Sequence, residues 1–203
     1  TSLPHLIVLL DALNARLIPV TCIVPPFDEN GMPLAPDTPL AQLLLAYILS
    51  NRGVEIAAFV PGLAHQSEYF QARSVQKAAK AFEGLLHAAI GLRPFSPQLQ
   101  SVACNDVPSP LSPTGVRSAG YHNVLSVPSD SGPVRSETWP NGTVRLYGGR
   151  KIDLRAYDSS QSIKQPEKSQ EIYYLSAQNL DDLSVADVAK VAEKFAGDLV
   201  AEE

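Results

Sequence analysis

The chain has 203 residues, of which 45% are hydrophobic, and this is enough to bury a full core in one globular domain. Its net charge is −5 and its 16 lysines and arginines are scattered, so the sequence lacks the basic stripe that phosphate backbones require and predicts no nucleic-acid partner. No apolar run reaches the roughly 18 residues that cross a bilayer, which excludes a membrane span and predicts a soluble protein.

The two cysteines, Cys22 and Cys104, have no CxxC spacing and are too few for a disulfide framework. They predict two buried thiols, with a single bridge between them as the alternative.

The opening TSLPHL has no basic region of the kind that begins a retained signal peptide, although a removed one would leave no trace. The sequence therefore leaves the compartment, cytoplasmic or secreted, open.

The first half of the chain alternates helix and strand patterns. Apolar residues recur at helical spacing over 3–16, although the run LIVLL alone also fits a buried strand. β-branched residues predict a strand over 17–24, followed by a helix over 40–51, a buried strand over 54–60 and an amphipathic helix over 75–90. Because parallel strands need crossover connections, usually helices, this alternation predicts an α/β fold.

In the second half, residues 105–113 read as an irregular connection, and the apolar period then changes to two. Short strands are predicted around two turns, Asn141-Gly142 and Gly148-Gly149. For Gly148-Gly149 a tight turn is favoured over a phosphate-binding loop. This pattern suggests an antiparallel excursion on the α/β body. A strand over 171–176 and a helix capped by Ser184 close the chain.

Three segments follow one another in an order that resembles the polysaccharide deacetylases of the NodB-homology family. They are IPVTCIVPP at 18–26, RGVEIAAF at 52–59 and IGLRPFSPQ at 90–98, with the long helix between the second and the third. The later GVRSAGYHNVLSVP at 115–128 is similar to the family's following helix-to-strand step. The resemblance implies a partial or distorted (β/α) barrel and a single domain over 1–203, in which the family's first strand is either missing or altered.

The family removes acetyl groups from sugars with a divalent metal, held by an aspartate and two histidines, that activates water, while a second aspartate acts as base. In this chain Phe59 and Leu63 stand where the histidines would be, and His65 comes two residues late as a weak candidate ligand. The family's aspartates end a strand before the first helix. Either that strand is missing, which we favour, or LIVLLD is an altered version of it with Asp11 as its only carboxylate.

Four side chains are candidates for binding a sugar. Ser176, Gln178 and Asn179 stand where the family has a histidine on its last strand, and they can hydrogen-bond a sugar although they are poor acids or bases. Trp139, just before the Asn141-Gly142 turn, is predicted to lie at an exposed loop tip where its ring could stack on a sugar. The alternative for this and the other aromatic residues of the second half is core packing.

The resemblance implies a deacetylase-like domain of carbohydrate metabolism without an intact metal centre, a pseudoenzyme that acts in carbohydrate binding or in assembly with a protein partner or a second copy. No cofactor is then expected, and no catalytic residue is assigned. The alternative is an active carbohydrate deacetylase, a hydrolase that uses a zinc-like divalent metal and is completed by a segment or subunit outside this chain. A weaker alternative is a hydrolase of another α/β class.

Overall fold

The computed structural model describes residues 2–28, 30–49, 54–61, 67–90, 101–105, 113–157 and 172–200. The helices are α1 (Leu3–Asn14), α2 (Pro39–Leu49), α3 (Glu68–Ile90), α4 (Pro113–Ser118) and α5 (Val185–Val200). The strands are β1 (Val20–Val24), β2 (Val54–Phe59), β3 (Ser101–Asn105), β4 (Asn123–Val127), β5 (Gly132–Thr138), β6 (Val144–Ile152) and β7 (Tyr173–Leu175). Two 3-10 helices cover Leu154–Ala156 and Ala177–Asp182.

The strands form a seven-stranded sheet in the order β1-β2-β3-β4-β6-β5, and β7 pairs with β6. The pairs β2–β3, β3–β4 and β4–β6 are parallel, with Ala57 opposite Ser101, Ser101 opposite Asn123, and Asn123 opposite Val144. β7 is parallel to β6. The helices α2, α3 and α4 are the connections that such pairs require, and the predicted α/β class is confirmed.

The chain divides into two compact units, and each mixes segments that are distant in sequence. The first unit holds 1–20, 130–134 and 149–203, and the second holds 21–129 and 135–148. Strands β5 and β6 contribute residues to both, so the expectation of a single domain over 1–203 stays a prediction.

In the second unit, one face of the sheet is covered by helices. α2 and α3 both contact β2, and α4 packs on α3. Alternate strand residues such as Ile56, Val102 and Val124 point into this apolar layer, where they meet Leu44 of α2 and Phe82 of α3. The predicted amphipathic helix over 75–90 is therefore confirmed, but α3 begins earlier, at Glu68.

In the first unit, α1 packs against α5. The edges of the Tyr157 and Tyr173 rings meet Phe195 of α5 with centroids 5.3 and 6.0 Å away. The predicted cap of α5 is confirmed, because the amide of Asp187 donates to the Ser184 hydroxyl at 3.1 Å and that hydroxyl donates back to the Asp187 carboxylate at 2.7 Å.

The prediction of a turn at Asn141-Gly142 is confirmed. Gly142 has φ of 80° and its amide donates to the Trp139 carbonyl at 2.9 Å, while the Trp139 amide donates to the Thr143 carbonyl at 2.9 Å. A turn this short can join only antiparallel strands, here β5 and β6.

The predicted turn at Gly148-Gly149 is wrong, because both residues lie inside β6. Their φ angles of 83° and 122° are ones that glycine adopts readily. A Cβ on Gly149 would sit 2.7 Å from the Ile172 carbonyl oxygen and 2.7 Å from a ring carbon of Tyr174, so the glycine admits a neighbouring strand rather than reversing the chain. β6 ends at Ile152, and a 3-10 helix follows from Leu154.

The sequence did not predict β3, whose five residues came just before the connection interpreted as irregular. The segment GLRPFSPQ, which the resemblance assigned to a strand, lies outside the described residues. Cys22 and Cys104 are both free thiols, as predicted, and the predicted burial is complete for Cys104 and partial for Cys22. No helix within the described part of the chain combines the length and apolar character needed to cross a membrane.

We predict that Gly149→Ala lowers the free energy of unfolding by at least about 3 kcal/mol, since the new methyl group meets both a backbone carbonyl and an aromatic ring at an unfavourable φ. The matched control is Gly197→Ala in α5, where nothing lies within 4 Å of the added Cβ and stability should rise by about 1 kcal/mol. Urea unfolding of the three proteins measures both effects, and equal stability of the two variants would contradict the close approach.

Alkaline pH should destabilise the protein through Cys22, because burial raises the pKa of its thiol from 9.0 to about 11. Above pH 9 the unfolded chain loses this proton before the folded one does, so stability falls between about pH 9 and 11, with a slope of at most about 1.4 kcal/mol per pH unit. Urea unfolding at stepped pH gives the free energy of unfolding of the wild type and of Cys22→Ala as a function of pH. The two plots should be parallel below pH 8 and converge above pH 9. Curves that stay parallel to pH 11 would contradict this account.

Candidate functional site

The positions expected to hold a metal are only partly described. Phe59 ends β2 and is half-buried, whereas Leu63 and His65 lie outside the described residues. Asp11 lies on the exposed side of α1, so the alternative interpretation of LIVLLD as an altered strand is wrong. The described residues contain no group of three or more histidine, cysteine or acidic side chains placed to hold a metal.

Trp139 does not lie exposed at a loop tip, and that expectation is wrong. Its side chain is only 6% exposed and belongs to the apolar core of the second unit. The turn residues that follow it are at the surface. The indole ring itself packs into the core, because burying its large apolar surface stabilises the fold. The candidate sugar-stacking residue is thus a core residue.

The other three candidates follow β7 in the first unit. Ser176 is exposed, and Gln178 and Asn179 fall in the 3-10 helix Ala177–Asp182, with side chains outside the described part of the structure. Their role in binding a sugar stays a prediction.

Polar side chains next to this 3-10 helix are engaged with one another. The Arg155 guanidinium donates to both carboxylate oxygens of Asp153, at 3.2 and 3.1 Å, and to Asp182 at 3.1 Å. The hydrogen bonds and charge of Arg155 hold the pKa of Asp153 below its ordinary value. Because the guanidinium already has two carboxylate partners, this surface cluster offers no free cation for a ligand.

A serine, a histidine and an aspartate also meet in the first unit. The Ser2 hydroxyl and the Asp181 carboxylate both face Nδ1 of His5, while Nε2 of His5 contacts the Leu183 carbonyl at 2.8 Å. In a catalytic triad the serine and the aspartate would use opposite ring nitrogens. Here the second nitrogen is occupied by backbone, so the arrangement fastens the start of α1 rather than activating a nucleophile.

The face of the second unit's sheet that points away from α2 and α3 carries a row of polar groups. The Ser101 hydroxyl donates to the Glu55 carboxylate at 2.6 Å, and the Asn123 amide nitrogen donates to Ser101 at 3.4 Å. The row crosses β2, β3 and β4 near their amino ends, whereas parallel α/β folds bind ligands at the carboxyl ends. We interpret it as a device that sets the strand register.

Two buried hydroxyls of the second unit have no hydrogen-bond partner among the described residues, those of Tyr121 and Thr143. Burial raises the pKa of the Tyr121 phenol, and the Glu83 carboxylate adds to the rise. A neutral, enclosed phenol is unsuited to surface chemistry, and its unpaired hydroxyl should cost stability.

The outer side of α3 presents a group of aromatic and basic side chains to solvent, together with a ring from the loop after β1. We call it the aromatic-cationic surface, and it consists of Phe27, Tyr69, Phe70, Arg73, Lys77 and Lys80. Tyr69 and Phe70 are 65% and 58% exposed and meet edge to face with centroids 5.5 Å apart. Arg73 lies 5.8 Å from the centre of the Tyr69 ring, and Lys77 lies 4.6 Å from that of Phe27.

Helical geometry explains why these side chains share one side. At 3.6 residues per turn, the five members on α3 fall within an arc of roughly 100°. The buried residues of the same helix, Val75, Ala78 and Phe82 among them, lie on the opposite arc. Two adjacent aromatic rings outside the buried arc form an exposed apolar patch, a feature that binding surfaces often have.

The aromatic-cationic surface lies at the edge of the sheet where ligands bind in α/β folds. Phe27 follows the carboxyl end of β1, and α3 begins after the carboxyl end of β2. The sequence pattern places the start of this helix at Val75, so it leaves Tyr69 and Phe70 outside the helix and does not identify this surface. The signal was present, since both rings extend the helical pattern on its polar side.

Comparisons of the chain with known protein families, with curated proteins and with solved structures gave no match. The proposed function therefore rests on the geometry of the site.

We predict that Tyr121→Phe leaves the free energy of unfolding unchanged or raises it by about 1 kcal/mol, because the lost hydroxyl has no partner among the described residues. The matched control is Tyr157→Phe, whose hydroxyl donates to the Asp198 carboxylate at 2.7 Å and whose loss should cost about 1 to 2 kcal/mol. Denaturant unfolding ranks the two variants. A larger loss for Tyr121→Phe than for Tyr157→Phe would reveal a partner for the Tyr121 hydroxyl.

Proposed function

We propose that this chain is a deacetylase-like (β/α) domain that binds carbohydrate and does not itself carry out metal-dependent deacetylation. The observation that carries the proposal is the pair of exposed rings, Tyr69 and Phe70, at the carboxyl edge of the sheet. Aromatic faces stack on the apolar faces of sugar rings, and neighbouring polar groups then orient the hydroxyls.

The scaffold part of the proposal is supported by the strand order. β1 to β4 and then β6 follow one another in space as they do in the chain, with parallel pairing from β2 to β6, which is the order of a (β/α) barrel wall. Helices cover one side of this wall, as they do in such barrels. A partial or distorted barrel of the deacetylase type is the form that we propose.

The non-catalytic part is supported by Phe59. It ends β2, where the resemblance places the first metal-binding histidine, and a phenyl ring has no donor atom for a cation. If the purified protein carries one tightly bound zinc, cobalt or nickel ion per chain, this part is wrong and the active deacetylase takes its place. Elemental analysis of the full chain decides between them.

The binding surface can be tested with Tyr69→Ala/Phe70→Ala and an N-acetylglucosamine oligosaccharide, titrated by calorimetry. Losing both rings should remove about 2 kcal/mol of binding free energy, which is about thirtyfold in affinity. The thermal midpoint should hardly change, because both side chains are largely exposed.

The matched control is Val200→Ala, which shortens an exposed apolar side chain at the end of α5 and should leave the affinity unchanged. Equal binding by the double variant and the wild type would place the sugar elsewhere. An absence of binding to any oligosaccharide would contradict the proposed function.

A further inference from the structure

The basic side chains of the aromatic-cationic surface form an unbroken run of one charge sign. Arg73, Lys77 and Lys80 are spaced four and three residues apart on α3, so they rise on one side of the helix. No acidic residue occurs on α3 between Glu68 and Glu83. The net charge of the chain is −5, but the charged residues of α3 between Glu68 and Glu83 are all positive.

These cations also differ from other basic residues of the chain in the contacts that the structure describes for them. Among the side chains that the structure describes, no aspartate or glutamate forms an ion pair with any of the three. Other arginines are paired, as Arg16 is with Glu193 at 2.6 Å. The contacts that Arg73 and Lys77 make are with the faces of aromatic rings, which hold the charges in place without neutralising them.

We propose that the aromatic-cationic surface recognises an acidic polysaccharide, one whose sugar rings carry carboxylates. The inference rests on the proposed carbohydrate-binding function and specifies its ligand class. Tyr69 and Phe70 supply stacking, the Arg73 guanidinium can bind a carboxylate through two parallel hydrogen bonds, and the lysines supply further positive charge.

The spacing of the charges favours a polysaccharide over a nucleic acid. Arg73 and Lys80 are about 10 Å apart along the helix axis, at 1.5 Å per residue. Duplex DNA presents a charge about every 1.7 Å, and its binding needs a long basic tract. The remaining basic residues of this chain are scattered, and its net negative charge repels a dense polyanion.

The test compares two oligosaccharides of matched length by calorimetry at low and physiological salt. One is the neutral N-acetylglucosamine oligomer, and the other is a hyaluronan fragment, in which N-acetylglucosamine alternates with a ring carrying a carboxylate. We expect the hyaluronan fragment to bind about tenfold or more tightly than the neutral one, and its affinity to fall as salt is added.

The charge variant is Arg73→Gln/Lys77→Gln/Lys80→Gln, and its matched control, Arg135→Gln/Lys151→Gln/Lys190→Gln, removes the same number of exposed cations from other elements. The charge variant should lose about tenfold or more of its affinity for the hyaluronan fragment and keep its affinity for the neutral oligomer. The control should keep both affinities. Circular dichroism and thermal unfolding confirm that each variant is folded.

The outcomes separate the two proposals. Equal affinity for both oligosaccharides overturns the acidic ligand, and a charge variant that still prefers hyaluronan overturns the assignment of that ligand to this surface. In both cases the carbohydrate-binding function stands. Binding of neither oligosaccharide overturns both. Tighter binding of a single-stranded RNA than of hyaluronan, lost in the same charge variant, assigns the surface to nucleic acid and overturns the proposal.

Discussion

The parallel pairing of β2, β3 and β4 is the constraint on which the second unit depends. Its central residues, Ala57, Ala58, Val102, Ala103 and Val124, are completely buried and are either alanine or valine. The side chains of Ala58, Val102 and Val124 face α2 and α3, and because they are small or β-branched they let these helices approach the pleated sheet closely. Ala57 and Ala103 point to the opposite face. Because the strands are parallel and in register, their carboxyl ends come to one edge.

In α/β folds ligands bind at this edge of the sheet, and burial decides which aromatic side chains are accessible to a ligand. Trp139 and Tyr121 supply large apolar surfaces to the core and are closed to solvent, whereas Tyr69 and Phe70 stand outside it. If packing alone governed their position, the rings of Tyr69 and Phe70 would be buried, because burying a phenylalanine side chain stabilises a fold by about 2 kcal/mol. Their exposure on the polar side of α3 is what makes a binding role the better explanation.

The first unit shows the opposite arrangement of its polar groups. Arg155 is held between Asp153 and Asp182, and His5 is held by Ser2, Asp181 and the Leu183 carbonyl. Each charge already has its counter-charge or hydrogen bond, so these groups position α1 and the 3-10 helices and offer little to a ligand. On α3 the contacts that the structure describes for Arg73 and Lys77 are with aromatic rings, and this difference from the first unit supports the proposal of a binding surface.

The sequence by itself determined the elements whose signals are local. The Ser184 cap, the helical period of α1 and α3, the β-branched run of β1 and the Asn141-Gly142 turn all act within a few residues, so their structures follow from short-range sterics and hydrogen bonding. Only the tertiary structure decided the rest. Gly148-Gly149 became strand because β7 passes close to Gly149, and Trp139 turned inward because a core lay beneath it. Whether an aromatic ring is buried or exposed depends on which elements pack against it, and these elements are far away in the chain.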